Sequence, residues 1–123
     1  MKVIEIFDSI DGEGIRTGQC ATFIRLAGCN LRCSYCDTVY SLFGEETPCE
    51  YTEMTVDEII SKVNMTYKRV TLTGGEPLVR KADLIRLAEK HYDCAFLSFT
   101  NGTLVDETFC ADLKRVGNLY LAI

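Results

Sequence analysis

A chain of 123 residues, 47% hydrophobic and 25% charged, has the balance of one ordinary globular domain. Its net charge of −5 and pI of about 4.8 come without any block of basic residues, which argues against a grip on nucleic-acid phosphates and for a small molecule or protein partner. No apolar run approaches the ~20 residues of a membrane span, and the N-terminal MKVIEIFDSI lacks the apolar core of a secretory signal, so a cytoplasmic, reducing compartment is expected.

Residues 3–7 (VIEIF) and 21–26 (ATFIRL) are short, apolar and β-rich, and each predicts a strand. Three cysteines follow at once. Thr55 and Glu58 then form a capping-box pair, with Val56, Ile59, Ile60 and Val63 at helical spacing. A third strand is expected over 70–73, a helix over 82–90, a strand over 94–100, a helix from Asp106 to the stop at Gly117, and a strand over 119–123. Repeated βα units imply a parallel sheet in a single α/β domain over 1–123, either doubly wound or curled into a barrel. A complete (β/α)8 barrel takes about 250 residues. The expectation is therefore an incomplete TIM-like barrel, truncated after about four barrel strands.

In a reducing compartment seven cysteines suggest metal or redox chemistry rather than disulfides. Cys29, Cys33 and Cys36 form C-x3-C-x2-C just past a strand end, on the side where parallel α/β folds place ligands. Such gaps allow all three sulfurs to turn toward one centre. Thiolates suit an iron–sulfur cluster, in which three of them leave one iron open, or zinc with Cys49 or the nearby Cys20 as a fourth ligand. Three unrelated core cysteines are the plainest alternative. Cys94 and Cys110 are expected to be buried small hydrophobes, and His91 a solvated or dipole-facing residue at a helix end.

The strand over 70–73 runs into Gly74-Gly75-Glu76-Pro77. Glycines permit close approach and positive φ, their amides can bind anionic groups, and Glu76 offers a carboxylate for an ammonium. A simple turn is the competing reading. Both motifs lie at C-terminal strand ends and so are expected on one rim of the sheet.

Together C-x3-C-x2-C and GGEP resemble the radical S-adenosylmethionine (radical SAM) superfamily. The resemblance implies a [4Fe–4S] cluster on Cys29, Cys33 and Cys36, with SAM chelating the open iron. It also implies SAM contacts from Tyr35, Cys36, Asp37, Gly74, Gly75, Glu76 and Asn101, and an electron donor such as flavodoxin or ferredoxin. Residues 1–77, through FDSIDGEG, TFIRLAGCNLRC and CDT, are further similar to the 7-carboxy-7-deazaguanine synthases. Those enzymes convert 6-carboxy-5,6,7,8-tetrahydropterin to 7-carboxy-7-deazaguanine in queuosine biosynthesis, using SAM and Mg2+. By that likeness Ile10, Asp11, Gly12, Arg25 and Thr73 would contact the pterin, and Thr38 would bind Mg2+. Read as plain residues, Arg25 is a strand-edge charge, Thr38 a turn hydroxyl and DGEG a polar turn. After GGEP the chain reads more like other radical SAM branches, such as glycyl-radical activases or peptide-modifying enzymes. A non-catalytic metal-binding module and a homodimer are the remaining expectations.

Overall fold

The N-terminal segment is rich in β-branched and aromatic residues, and the backbone takes the extended ladder they favour. The computed structural model describes residues 1–42 and 49–123. Strand β1, Lys2–Ile10, pairs antiparallel with β2, Cys20–Leu26. It outruns the expected 3–7 because Asp8, Ser9 and Ile10 continue the register against Thr22, Ala21 and Cys20. A two-residue β3, Thr52–Glu53, adds to its other side. Strands β4 (Arg69–Thr73), β5 (Ala95–Phe99) and β6 (Leu119–Ala122) follow β2 in parallel, giving one mixed sheet in the order β3-β1-β2-β4-β5-β6.

Two of the three described α-helices start at side-chain caps. Helix α1, Val56–Ser61, carries the full Thr55–Glu58 capping box. It ends before Val63, which is still buried but reached through a tighter turn, its amide bonding the carbonyl of Ile60. Helix α2 spans Lys81–Lys90, with Leu84, Ile85, Leu87 and Ala88 inward. Helix α3, Glu107–Val116, opens on the Asp106 side chain bonded to the Phe109 amide and closes on Gly117 at φ 74°. Among the described residues no helix is long and apolar enough to cross a membrane.

Strand alternation divides the sheet into two faces. Ile24, Leu26, Val70, Leu72, Phe96 and Leu119 form the core with the helices. Phe23, Arg25, Thr71, Thr73, Leu97 and Phe99 alternate with them and point the other way, with Phe7 stacked on Phe23 at 5.3 Å. The loop 11–19 folds over this second face: the Arg16 guanidinium donates to Thr71 Oγ1 at 2.8 Å and to the Val70 carbonyl at 2.8 Å. Cys94 is buried as expected. Cys110 is exposed instead, because its position on α3 falls off the stripe that buries Phe109.

Candidate cofactor cleft

The C-terminal ends of the four parallel strands open onto one cleft of about 600 Å3. Cys29, Cys33 and Cys36 line it from the loop after β2. Gly74, Gly75 and Glu76 line it after β4, Thr100 and Asn101 after β5, and Ile123 after β6. The two sequence motifs meet because β2 and β4 are adjacent and parallel, with Arg25 beside Thr73 in the ladder.

Cys33 is exposed, and Cys29 and Cys36 are half-buried. Cys29 Sγ accepts the Leu31 amide at 3.4 Å, a bond of the kind that tunes sulfur ligands in iron–sulfur sites. All three thiols face one cleft, but among the described residues no three Cys, His, Asp or Glu side chains close round a common point. Neither candidate for a fourth thiol lines the cleft. Cys20 starts β2, at the opposite end of the sheet, and burial with the nearby Glu50 pushes the Cys49 thiol pKa up, which disfavours the ligating thiolate. Tyr35, 86% exposed, Asp37 and Thr38 stand on the same wall, with Thr38 Oγ1 donating to Asp37 Oδ1 at 2.7 Å.

The glycine loop packs backbone to backbone against the start of the cysteine loop. A Cβ on Gly75 would lie 2.0 Å from the Gly28 carbonyl oxygen, and one on Gly74, at φ 79°, would lie 2.5 Å from that of Leu26. The Glu76 amide donates to Gly28 O at 2.8 Å, and the Gly75 amide to Ser41 Oγ at 2.9 Å. Both amides therefore turn inward. Of the glycine amides expected to bind an anion, that of Gly75 is already engaged by Ser41, while the carbonyl oxygens of such a loop suit an ammonium. The Glu76 side chain also differs from expectation. It is buried, accepting from the Leu78 amide and Thr100 Oγ1 on one oxygen and from the Asn101 amide on the other. It clamps the β4 and β5 loops together instead of offering a free carboxylate. Asn101 in turn donates to Asn30 Oδ1 at 3.1 Å, tying the β5 loop to the cysteine loop. Ser41 escaped the sequence reading, since an isolated hydroxyl carries no periodicity or spacing signal.

A second, smaller cleft of about 370 Å3 is lined by Ile10, Asp11, Gly12 and Thr73, and shares Glu13, Thr73 and Phe99 with the first. Here DGEG is more than a polar turn. Asp11 is 2% exposed; its carboxylate accepts from Thr71 Oγ1 at 2.8 Å and faces Arg16 Nε at 3.4 Å. Arg16, only 8% exposed, was invisible in the sequence because nothing local marks an arginine in a glycine-flanked turn as buried. Burial lowers its pKa while Asp11 opposes that shift. Arg25 lies on an internal strand, not an edge. It lines neither cleft; its Nε is 2.7 Å from Glu5 Oε1, its guanidinium sits near the rings of Phe7 and Tyr40, and its Cγ lies under Gly74.

Among family models, that of the radical SAM superfamily matches residues 23–123. The chain belongs to the radical SAM superfamily. Membership brings a [4Fe–4S] cluster and SAM as cofactors, and three thiols on one cleft, with a hydrogen bond already placed on one sulfur, are a donor set that fits such a cluster. Relatives include a 7-carboxy-7-deazaguanine synthase of Clostridium acetobutylicum, 45% identical over 111 residues, covering 88% of this chain and 49% of that protein. Another, from Methanospirillum hungatei, is 39% identical over 93% of this chain and 50% of its own length. That likeness extends well beyond residue 77, into the part that reads by eye like other radical SAM branches. The solved structure of QueE from Escherichia coli superposes with a TM-score of 0.72 at 27% identity, covering 83% of this chain and 53% of that one. The chain spans about half the length of the curated relatives it matches.

Proposed function

We propose that this chain acts as a 7-carboxy-7-deazaguanine synthase, a radical SAM lyase converting 6-carboxy-5,6,7,8-tetrahydropterin to 7-carboxy-7-deazaguanine. The four parallel strands are the opening strands of a barrel of the radical SAM type. The observation that carries the reading is the meeting of two clefts across Thr73. One is lined by the three thiols, the other by Ile10, Asp11 and Gly12, in a chain that aligns with synthases of this type along most of its length.

Cys29, Cys33 and Cys36 hold the cluster, which when bound supplies the electron for cleavage of SAM. Tyr35, Asp37, Asn101 and the carbonyls of Gly74 and Gly75 hold SAM, and Glu76 acts at one remove by fixing Asn101. Residues 10–12 and Thr73 hold the pterin. With the Asp11 carboxylate committed to Thr71 and Arg16, this segment meets the pterin through its backbone groups. Arg25 braces the glycine loop from below and reaches the substrate carboxylate only if it leaves Glu5. The Thr38 hydroxyl is a hard oxygen suited to Mg2+. The chain's own contribution is placement and exclusion of water, so that a reactive intermediate meets one C–H bond. The enzyme works in the cytoplasm, as a homodimer, with a flavodoxin or ferredoxin as reductant.

Anaerobic reconstitution followed by carboxypterin, SAM, Mg2+ and dithionite tests the reading. Formation of 7-carboxy-7-deazaguanine and ammonia is expected. Cleavage of SAM with no deazaguanine from an intact cluster rejects it. Thr38→Ala is expected to abolish stimulation by Mg2+; unaltered stimulation would favour a glycyl-radical activase or peptide-modifying activity.

A further inference from the structure

We propose that Ser41 is a positioning residue that sets the separation between the cysteine loop and the glycine loop, and so the affinity of the loaded site for SAM. Ser41 is completely buried and sits between the two motifs. Its hydroxyl donates to the Thr38 carbonyl at 2.7 Å and accepts from the Gly75 amide at 2.9 Å. Its carbonyl accepts from the Gly28 amide at 2.6 Å. One residue thus grips the chain just before Cys29, the chain just after Cys36, and the glycine next to the SAM position.

The geometry separates two roles. The backbone bond to Gly28 survives any side-chain change and keeps the start of the cysteine loop in place. The hydroxyl alone holds the Gly75 amide. Removing it leaves that part-buried amide without its partner, and the loop must shift or take in water to satisfy it. The Thr38 carbonyl, beside the last cysteine, loses the hydroxyl but keeps the Ser41 amide at 2.9 Å, so iron should stay while the glycine loop moves.

The inference rests on membership of the radical SAM superfamily and is independent of the pterin chemistry, because its test contains no pterin. Ser41→Ala and Ser41→Thr are reconstituted alongside the wild type. Iron and sulfide content, SAM affinity by equilibrium dialysis, and the change in the reduced cluster's EPR spectrum on titration with SAM are then measured. Ser41→Ala is expected to hold wild-type iron and sulfide and to bind SAM about tenfold more weakly, the size of effect one lost hydrogen bond to a part-buried amide produces. Its EPR change should saturate only at correspondingly higher SAM. A full cluster with SAM affinity within about twofold of wild type, a difference too small for a lost hydrogen bond, overturns the proposal. If Ser41→Ala loses the cluster, the threonine variant decides. Recovery of both cluster and SAM affinity supports the latch. Failure to recover the cluster, or recovery of the cluster without SAM affinity, overturns it.

Discussion

Gly75→Ala is the sharpest test of how the two loops meet. The new Cβ would lie 2.0 Å from Gly28 O, a backbone atom that cannot swing aside, whereas an ordinary contact is 3.4 Å or more. The loops must therefore part by about 1.4 Å, the difference between those two distances. That breaks two bonds now at 2.8 and 2.9 Å, from the Glu76 amide to Gly28 and from the Gly75 amide to Ser41. At about 1 kcal/mol each, with ~1–3 kcal/mol for overpacking, the expected destabilisation is roughly 4 kcal/mol. This is a large part of the ~5–15 kcal/mol that holds a domain together. Urea unfolding of the cluster-free chain measures it. Gly12→Ala is the control: nothing lies within 4 Å of a Cβ there, and a change below about 0.5 kcal/mol is expected. If Gly75→Ala proves as stable as Gly12→Ala, the close approach of the loops is wrong, and the Ser41 latch falls with it.

Asp11→Ala would leave the Arg16 guanidinium buried without its carboxylate and should cost about 3–5 kcal/mol in the same urea assay; a loss under 1 kcal/mol would mean the pair is not buried. Asp106 is held below the ordinary carboxyl range, first by its bond to Lys81 and then by the Phe109 amide. Because its folded pKa is depressed, the stability it contributes is present above the unfolded value of about 3.9 and is lost as the pH falls through the lower folded value. Asp106→Ala should therefore unfold more easily than wild type at neutral pH, with the gap narrowing as the pH is lowered below about 4; a gap that does not change with pH contradicts this. Iodoacetamide labelling of the cluster-free chain, followed by mass spectrometry, should modify the exposed Cys33 and Cys110 first. Cys94 should react last, since it is buried and burial pushes its thiol pKa up. Early modification of Cys94 would show that its thiol is not sealed in the core.

Five of the strands, the Thr55 cap, the helix start at Asp106, the Gly117 stop and the alternation of β and α units were legible in the chain, because each rests on near neighbours in sequence and on periodicity; the two-residue β3 was not, being too short to carry a pattern. The cofactor class came from the family resemblance that C-x3-C-x2-C and GGEP carry together; read as residues alone, the cysteines left zinc open and GGEP was a possible turn. What stayed hidden were pairings across large sequence separations. The Glu76 carboxylate looked free until the fold brought Thr100 and Asn101 onto it, and Asp11 looked like a turn residue until Arg16 and Thr71 enclosed it. Arg25, expected at the substrate and otherwise a strand-edge charge, is on an internal strand once β1 and β4 close on both sides of β2, with its guanidinium on Glu5. A linear pattern states which groups are available to bind something. Whether a carboxylate, amide or hydroxyl is still available after folding depends on which donors and acceptors the strand order sets against it, and only the assembled sheet decides that.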